Sequence, residues 1–217
     1  MKKALLFGAG GFVGSYLLEG LLSNPEYGQV TIVVRKELPV SHPKLKSLIG
    51  DCQSLPGLKD SLDADDVFIA LGTTKKKTPD RDAYYQADHD YPVLAASIAR
   101  ERGATSLFLV SAVGADVNSG VFYVRTKGEA ERDILTLDYD HTHIFRPSMI
   151  MGHRKEYRPL EKVLIAVWSL LEPLFIGGLS KYRGTDARDI ARAMINAASR
   201  PAGKTAVYEW REMRALL

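Results

Sequence analysis

The stretch KALLFGAGGFVGSYLLEGLLS, near the start of the 217-residue chain, limits the fold more than any other segment. An apolar run, Ala4 to Phe7, stops at glycines, and helical periodicity begins directly after them. Gly8, Gly11 and Gly14 give the spacing G-x-x-G-x-x-G, with Gly10 as an additional glycine. A strand that must turn at once into a helix favours residues without a Cβ. The helix start then offers free N–H groups and the positive end of a dipole, which together bind phosphate. Position 13 is Val13, so the spacing differs from G-x-G-x-x-G, and no Gly-Lys-Ser/Thr follows as a P-loop would require. Strand, loop and helix in this order point to a dinucleotide, with Gly8, Gly10, Gly11, Phe12, Val13 and Gly14 around its phosphates.

The rest of the first half repeats the alternation. VTIVVR, LKSLIGD, DVFIALG, SLFLVSA and HTHIFRPS read as strands, and helices are expected at residues 55–62, 81–102 and 119–137, with Pro92 bending the second or marking an early turn. Apolar strands alternating with helices predict an α/β fold, a doubly wound parallel sheet between two helical layers. After Pro147 the pattern loosens to an apolar helix at 159–172, a helix from Asp186 to Ser199 and a strand TAVYEW. These make a small C-terminal helical appendage to a single domain spanning 1–217. Tyr157 and the apolar run 160–179 are expected to line a pocket as a packed helix or flap, with peripheral membrane contact as the alternative; Glu161, Lys162, Glu172 and Pro173 interrupt that run too often for a membrane span.

Several function classes fall away. A net charge of +3 with scattered basic residues gives no footprint for nucleic acid. His141 and His143 share a strand face but lack a third ligand at suggestive spacing, so no metal is expected. The single cysteine, Cys52, excludes an internal disulfide, and the chain is expected in the cytoplasm. Monomer and homodimer both stay open.

The end of the second strand selects the cofactor. An acidic residue there would bind the ribose 2′-hydroxyl of NAD. The chain has Arg35, 21 residues after Gly14, followed by Lys36. A guanidinium suits a 2′-phosphate, so NADP is expected over NAD. Asp51, at the end of the third strand, could accept from the adenine amino group or simply cap its loop. Leu71, Gly72 and Thr73 follow the fourth strand on the same edge, while Lys75, Lys76 and Lys77 read as a solvated run or as an attractor of anions. Finally, FYVRTKGEAE holds Tyr123 and Lys127, the chain's single Tyr-x-x-x-Lys, one turn apart on a helix face. The pair could be an acid with its electrostatic helper or an ordinary helix start.

Taken together, Gly8-x-x-Gly11-x-x-Gly14, Arg35, IALGTT, Ser111, Tyr123-x-x-x-Lys127 and RPSMIMG resemble the short-chain dehydrogenase/reductase superfamily. Chain length and GTT are most similar to its atypical, Tat-interactive-protein-like group. The resemblance implies an oxidoreductase in which Tyr123 is the general acid or base, Lys127 lowers its pKa and holds the nicotinamide ribose, and Ser111 holds the oxygen of a small carbonyl or alcohol substrate. It also places the loop of Arg146 and Pro147 beside the nicotinamide. No asparagine takes a secure fourth catalytic place; Asn118 lies in a loop. Members of this group also act as dinucleotide-binding sensors with little turnover, which is the alternative reading.

Overall fold

The structure, a computed structural model, describes residues 1–74, 76–152, 175, 177–200 and 203–217. Strands β1 (Lys2–Phe7), β2 (Tyr27–Val34), β3 (Leu45–Ile49), β4 (Asp66–Ile69), β5 (Ser106–Val110) and β6 (His141–Phe145) join β9 (Thr205–Tyr208) in one parallel sheet of order β3-β2-β1-β4-β5-β6-β9. A two-stranded parallel ladder, β7 (Ile150–Met151) with β8 (Thr185–Asp186), stands apart from it. The strand order reverses between β1 and β4. Ligands of open α/β sheets bind in the crevice beyond the carboxyl ends at such a reversal.

The alternation of side chains explains why the strands are apolar throughout. Ala4 and Leu6 of β1 join Phe68, Phe108 and Val110 in a core under α1 (Phe12–Ser23), while Leu5 and Phe7 join Val67, Ile69, Leu107 and Leu109 in the opposite core. Both faces of the central strands are covered, as in a doubly wound sheet. On the first face α1 packs with α5 (Ala187–Ser199), so the C-terminal helical appendage folds back onto the sheet. On the second lie a 3₁₀ turn at Leu55–Ser61, α3 (Tyr91–Glu101) and the Ile134 end of α4 (Phe122–Leu135).

Two elements differ from expectation. The helix at 81–102 is three pieces: α2 (Arg81–Tyr85), a π-helical turn Gln86–Asp90, and α3. Pro92 has no N–H to give the carbonyl four residues back, and the Tyr91 N–H bonds to Gln86 O, five residues back, widening the helix at this point. The strand read in TAVYEW ends at Tyr208, because a short helix, α6 (Trp210–Ala215), begins there; Glu212 at its third position accepts from the Glu209 N–H at 3.1 Å. The expected helix at 159–172 and Tyr157 lie outside the described residues, as does Lys75. No helix among the described residues is long and apolar enough to cross a membrane.

His143 of the predicted strand-face pair is a core residue. It stacks against Phe108 and Tyr208, and its Nδ1 pairs with the Tyr208 hydroxyl at 2.8 Å. Burial, with a smaller contribution from His141, pushes its pKa down to about 4. His141 instead pairs with the Gly203 carbonyl at 2.8 Å.

Candidate active site

The loops that follow β1, β4, β5 and β6 meet along the carboxyl edge of the sheet. Gly8 has φ +90, and a Cβ there would lie 2.7 Å from the Ala70 carbonyl carbon, so the loop after β1 rests directly on the loop after β4. Gly14 is closed in the same way: its Cβ would meet the Gly8 carbonyl, 2.6 Å from the carbon. At Gly11 an added Cβ would be 3.0 Å from Gly8 O. Gly10 is different, with only the Leu38 side chain near, at 3.5 Å, so packing does not demand a glycine at that position. Helix α1 begins at Phe12 without a side-chain cap or an acidic residue in its first turn. The buried Val13 and Gly14 belong to that turn, whose amide groups suit an anion.

Helix α4 brings Tyr123, Lys127 and Glu131 onto one face at intervals of four residues. Tyr123, at the open end, is 42% exposed, while Lys127 and Glu131 are buried. Each buried charge finds its partner on another element. The Lys127 ammonium pairs with Asp88 Oδ1 at 2.7 Å. Asp88 Oδ2 accepts from the Thr73 N–H at 2.8 Å, tying the π turn to the loop after β4. Gly72 leaves space for this pair; a Cβ there would lie 3.4 Å from Asp88 Oδ1 and 3.7 Å from Lys127 Nζ. Glu131 accepts from the Ser111 hydroxyl and from Arg146, whose Nε lies 3.0 Å from Oε1. The Glu131 carboxylate holds the Arg146 guanidinium above its ordinary pKa.

The Lys127 charge lowers the pKa of Tyr123, as expected, but it is not the largest effect there. Burial of the hydroxyl raises it, the Lys127 charge lowers it, and Asp88 raises it again; the sum is upward. Tyr84, on α2, is buried beside Asp88 and Tyr123, and its pKa is raised above the ordinary range for the same reasons.

The other residues named from sequence fall into two groups. Arg35 and Lys36 are exposed just past β2, and neither engages in an ion pair with another described residue. Burial pushes the Tyr91 hydroxyl up to about 12, Cys52 and Asp51 add to the rise, and Arg35 opposes it. Asp51 caps its own loop, its Oδ1 accepting from the N–H groups of Gln53 and Ser54 at 3.1 and 3.0 Å. Leu71 packs at the rim of the second core, and Thr73 pairs its hydroxyl with Thr78 at 2.7 Å. Pro147 is buried, its carbonyl accepting from Val113 N–H at 2.9 Å, so the loops after β5 and β6 run side by side. Asn118 remains in a loop, its N–H donating to Asp116.

Sequence reading missed Asp88 and Glu131. For Glu131 a signal existed: it continues the Tyr123–Lys127 spacing by one more turn. For Asp88 none did, because the π turn that rotates it toward Lys127 is invisible to a period of 3.6 residues.

The chain matches the family described as NAD(P)H-binding over residues 8–163. It is 34% identical over 221 residues to "Protein fmp52, mitochondrial" of Aspergillus niger, covering 96% of this chain and 94% of that one. A relative in Candida albicans with the same description is 31% identical, over 91% and 88%. Among solved structures, MoeE5 in complex with UDP-glucose and NAD superposes with a TM-score of 0.70 at 20% identity, covering 98% of this chain and 80% of that one. The Bordetella bronchiseptica enzyme WbmH in complex with NAD+ gives 0.71 at 16%, covering 97% and 76%. At such identities the likeness shows the fold. The cytoplasmic expectation is corrected by the relatives, whose names place them in mitochondria. A single unpaired cysteine is compatible with any reducing compartment, so composition could not choose between them. By its sequence, matched over residues 8–163, the chain belongs to the NAD(P)H-binding family, and its parallel sheet has the Rossmann order of strands.

Proposed function

We propose that this protein is an NADP-dependent oxidoreductase acting on a small carbonyl or alcohol. The observation that carries the reading is the Tyr123–Lys127 pair, with the lysine ammonium lying against Gly72 at the carboxyl edge of the sheet. The first turn of α1, with Gly8, Gly10, Gly11, Phe12, Val13 and Gly14 around it, would hold the pyrophosphate. Gly10, which packing leaves free to be larger, fits a close approach by that group. Arg35 and Lys36, free of carboxylate partners among the described residues, fit a 2′-phosphate. The bound dinucleotide supplies or takes the hydride. Tyr123 gives the proton to the substrate oxygen, or takes it back in the reverse direction. Lys127 has three N–H donors and spends one on Asp88, leaving others for a ribose. Leu71, Gly72, Thr73 and the Arg146–Pro147 loop would border the same ligand.

One observation favours the alternative, a dinucleotide-binding sensor with little turnover. The Ser111 proton is donated to Glu131, so in this arrangement Ser111 cannot donate to a substrate carbonyl. Two experiments separate the readings. Fluorescence titrations with NADPH and NADH, on wild type and Arg35→Ala, test the cofactor: NADPH binding no tighter than NADH would remove the NADP assignment. A carbonyl screen with wild type and Tyr123→Phe then tests turnover. Reduction that survives the loss of the hydroxyl refutes the tyrosine mechanism, and no reduction of any carbonyl supports the sensor.

A further inference from the structure

We propose that Tyr84 is a second catalytic hydroxyl of this site: beside Tyr123, it donates a hydrogen bond to the substrate oxygen, the role that the resemblance gives to Ser111. The inference rests on the oxidoreductase reading for its reaction. Ser111 is poorly placed for that role. It is 5% exposed, its N–H donates to Phe145 O at 2.7 Å, and its hydroxyl donates to Glu131, which Arg146 holds in turn. A serine has one proton to give, and this one is already given.

Two helical stretches bring Tyr84 and Tyr123 together. The run of α2, π turn and α3 connects β4 to β5, and α4 connects β5 to β6. Both lie on one face of a parallel sheet, so they run in the same direction and start at its carboxyl edge. Tyr84 stands four residues before Asp88, and Tyr123 four before Lys127. Asp88 and Lys127 are paired at 2.7 Å, so the residues one turn nearer the helix starts are neighbours as well. The Tyr84 ring lies 5.8 Å from that of Phe122, the residue next to Tyr123. Tyr84 is 8% exposed, and its hydroxyl has no hydrogen-bond partner among the described residues. That oxygen is nevertheless not one of the buried atoms lacking a partner, so the accessible part of the side chain includes the oxygen itself. Asp88 does not claim the Tyr84 proton: its Oδ1 faces the Lys127 ammonium and its Oδ2 accepts from Thr73 N–H.

The two hydroxyls then divide the work. Hydride adds to the carbonyl carbon from the reduced dinucleotide, the C=O π pair moves to oxygen, and that oxygen takes the Tyr123 proton. Tyr84 donates to the same oxygen and keeps its own proton, stabilising the charge as it develops. Burial and the Asp88 charge both favour its protonated form, which suits a donor that is never consumed. Solvent reprotonates Tyr123, and alcohol and oxidised dinucleotide leave.

The test compares wild type, Tyr84→Phe and Ser111→Ala in the NADPH-dependent reduction of a panel of aliphatic and aromatic aldehydes and ketones. Rates are normalised to NADPH-binding sites, counted by fluorescence titration. Tyr84→Phe deletes one oxygen and leaves the ring against Phe122. It is expected to lower kcat/KM about a hundredfold, the usual cost of one such donor, with NADPH affinity and urea midpoint as in wild type. Ser111→Ala should lose less activity than Tyr84→Phe. A fall of less than about tenfold in Tyr84→Phe overturns the proposal. So does a loss of NADPH affinity in step with activity, which would mark a structural role. A larger loss in Ser111→Ala also overturns it, because the serine would then have turned to the substrate. A wild type that reduces none of these carbonyls removes the oxidoreductase reading itself, and the proposal with it.

Discussion

Two glycines of the same loop should respond to alanine in opposite ways. In Gly14→Ala the new Cβ would stand 2.6 Å from the Gly8 carbonyl carbon, against the 3.4 Å at which ordinary contact begins. The loop and helix α1 must therefore separate by more than about 0.8 Å, since the Gly8 carbonyl oxygen lies closer still, and the obstacle is backbone, which cannot rotate aside. Gly8 itself is packed on Ala70, so the shift would pass on to the loop after β4. Overpacking of this kind costs about 1–3 kcal/mol. For a chain of this size that corresponds to a fall in Tm of about 2–12 °C. In Gly10→Ala the Cβ meets only the Leu38 side chain at 3.5 Å, and its effect on stability should be within about 0.5 kcal/mol. If Gly10 is small for the sake of a pyrophosphate, that stable variant should nevertheless bind NADPH about tenfold more weakly or worse, a loss of about 1.4 kcal/mol. Urea unfolding followed by circular dichroism gives the first quantity and fluorescence titration the second. The reasoning is refuted if Gly14→Ala is as stable as wild type, or if Gly10→Ala unfolds early while binding normally.

Further consequences follow from the buried groups. His143 is held at about 4 in the folded state against 6.5 when exposed, so the unfolded chain binds the extra proton between those values and stability falls as pH drops through that window. The shift is worth about 3 kcal/mol at most, and His143→Phe should flatten the pH dependence of urea midpoints between pH 6.5 and 4 relative to wild type. Arg146→Ala leaves the Glu131 carboxylate buried with Ser111 alone, and should cost about 3 kcal/mol in chemical denaturation; a loss below about 1 kcal/mol would mean the pair is solvated. Gly72→Ala places a methyl 3.4 Å from Asp88 and 3.7 Å from Lys127. It should leave stability within about 0.5 kcal/mol but weaken dinucleotide binding measurably, since a Cβ fits the free protein and narrows the ledge beside the ammonium.

The succession of strands along the chain and the glycine turn after the first of them could be read because each is a local pattern. The run Ala4–Phe7, the glycines and the α1 periodicity lie within 20 residues, and the apolar strands declare burial on both faces without any knowledge of partners. The choice among readings of Asp51 also has a local cause: Ser54 and Gln53 are near enough in sequence to claim its carboxylate oxygen. What was not legible is who pairs with whom across the site. Lys127 and Asp88 are 39 residues apart, and Ser111 and Glu131 are 20 apart; no periodicity links either pair. The net effect on Tyr123 was not legible either: the lysine that lowers its pKa was visible, while burial, the larger effect, and the Asp88 carboxylate were not.

Helix α4 shows why such long-range partners matter more than the helix pattern itself. Lys127 and Glu131 stand four residues apart, the spacing at which opposite charges on a surface helix pair with each other. Here each is bound outward instead: Lys127 to the π turn before α3, Glu131 to the ends of β5 and β6 through Ser111 and Arg146. A surface pair would fix nothing beyond the helix and would be worth a few tenths of a kcal/mol. The two buried pairs tie α4 to elements on both sides, and neither can be made if the helix turns about its axis by even one residue. Gly128, between them, lets the helix lie against the loop before it, where a Cβ would come within 2.5 Å of Val117 N. The rotation of α4, and with it the direction of Tyr123, is thus set by charges that must be satisfied rather than by the apolar face alone. Tyr123, partly exposed at the start of the helix, therefore takes its place on α4 from the residues one and two turns below it.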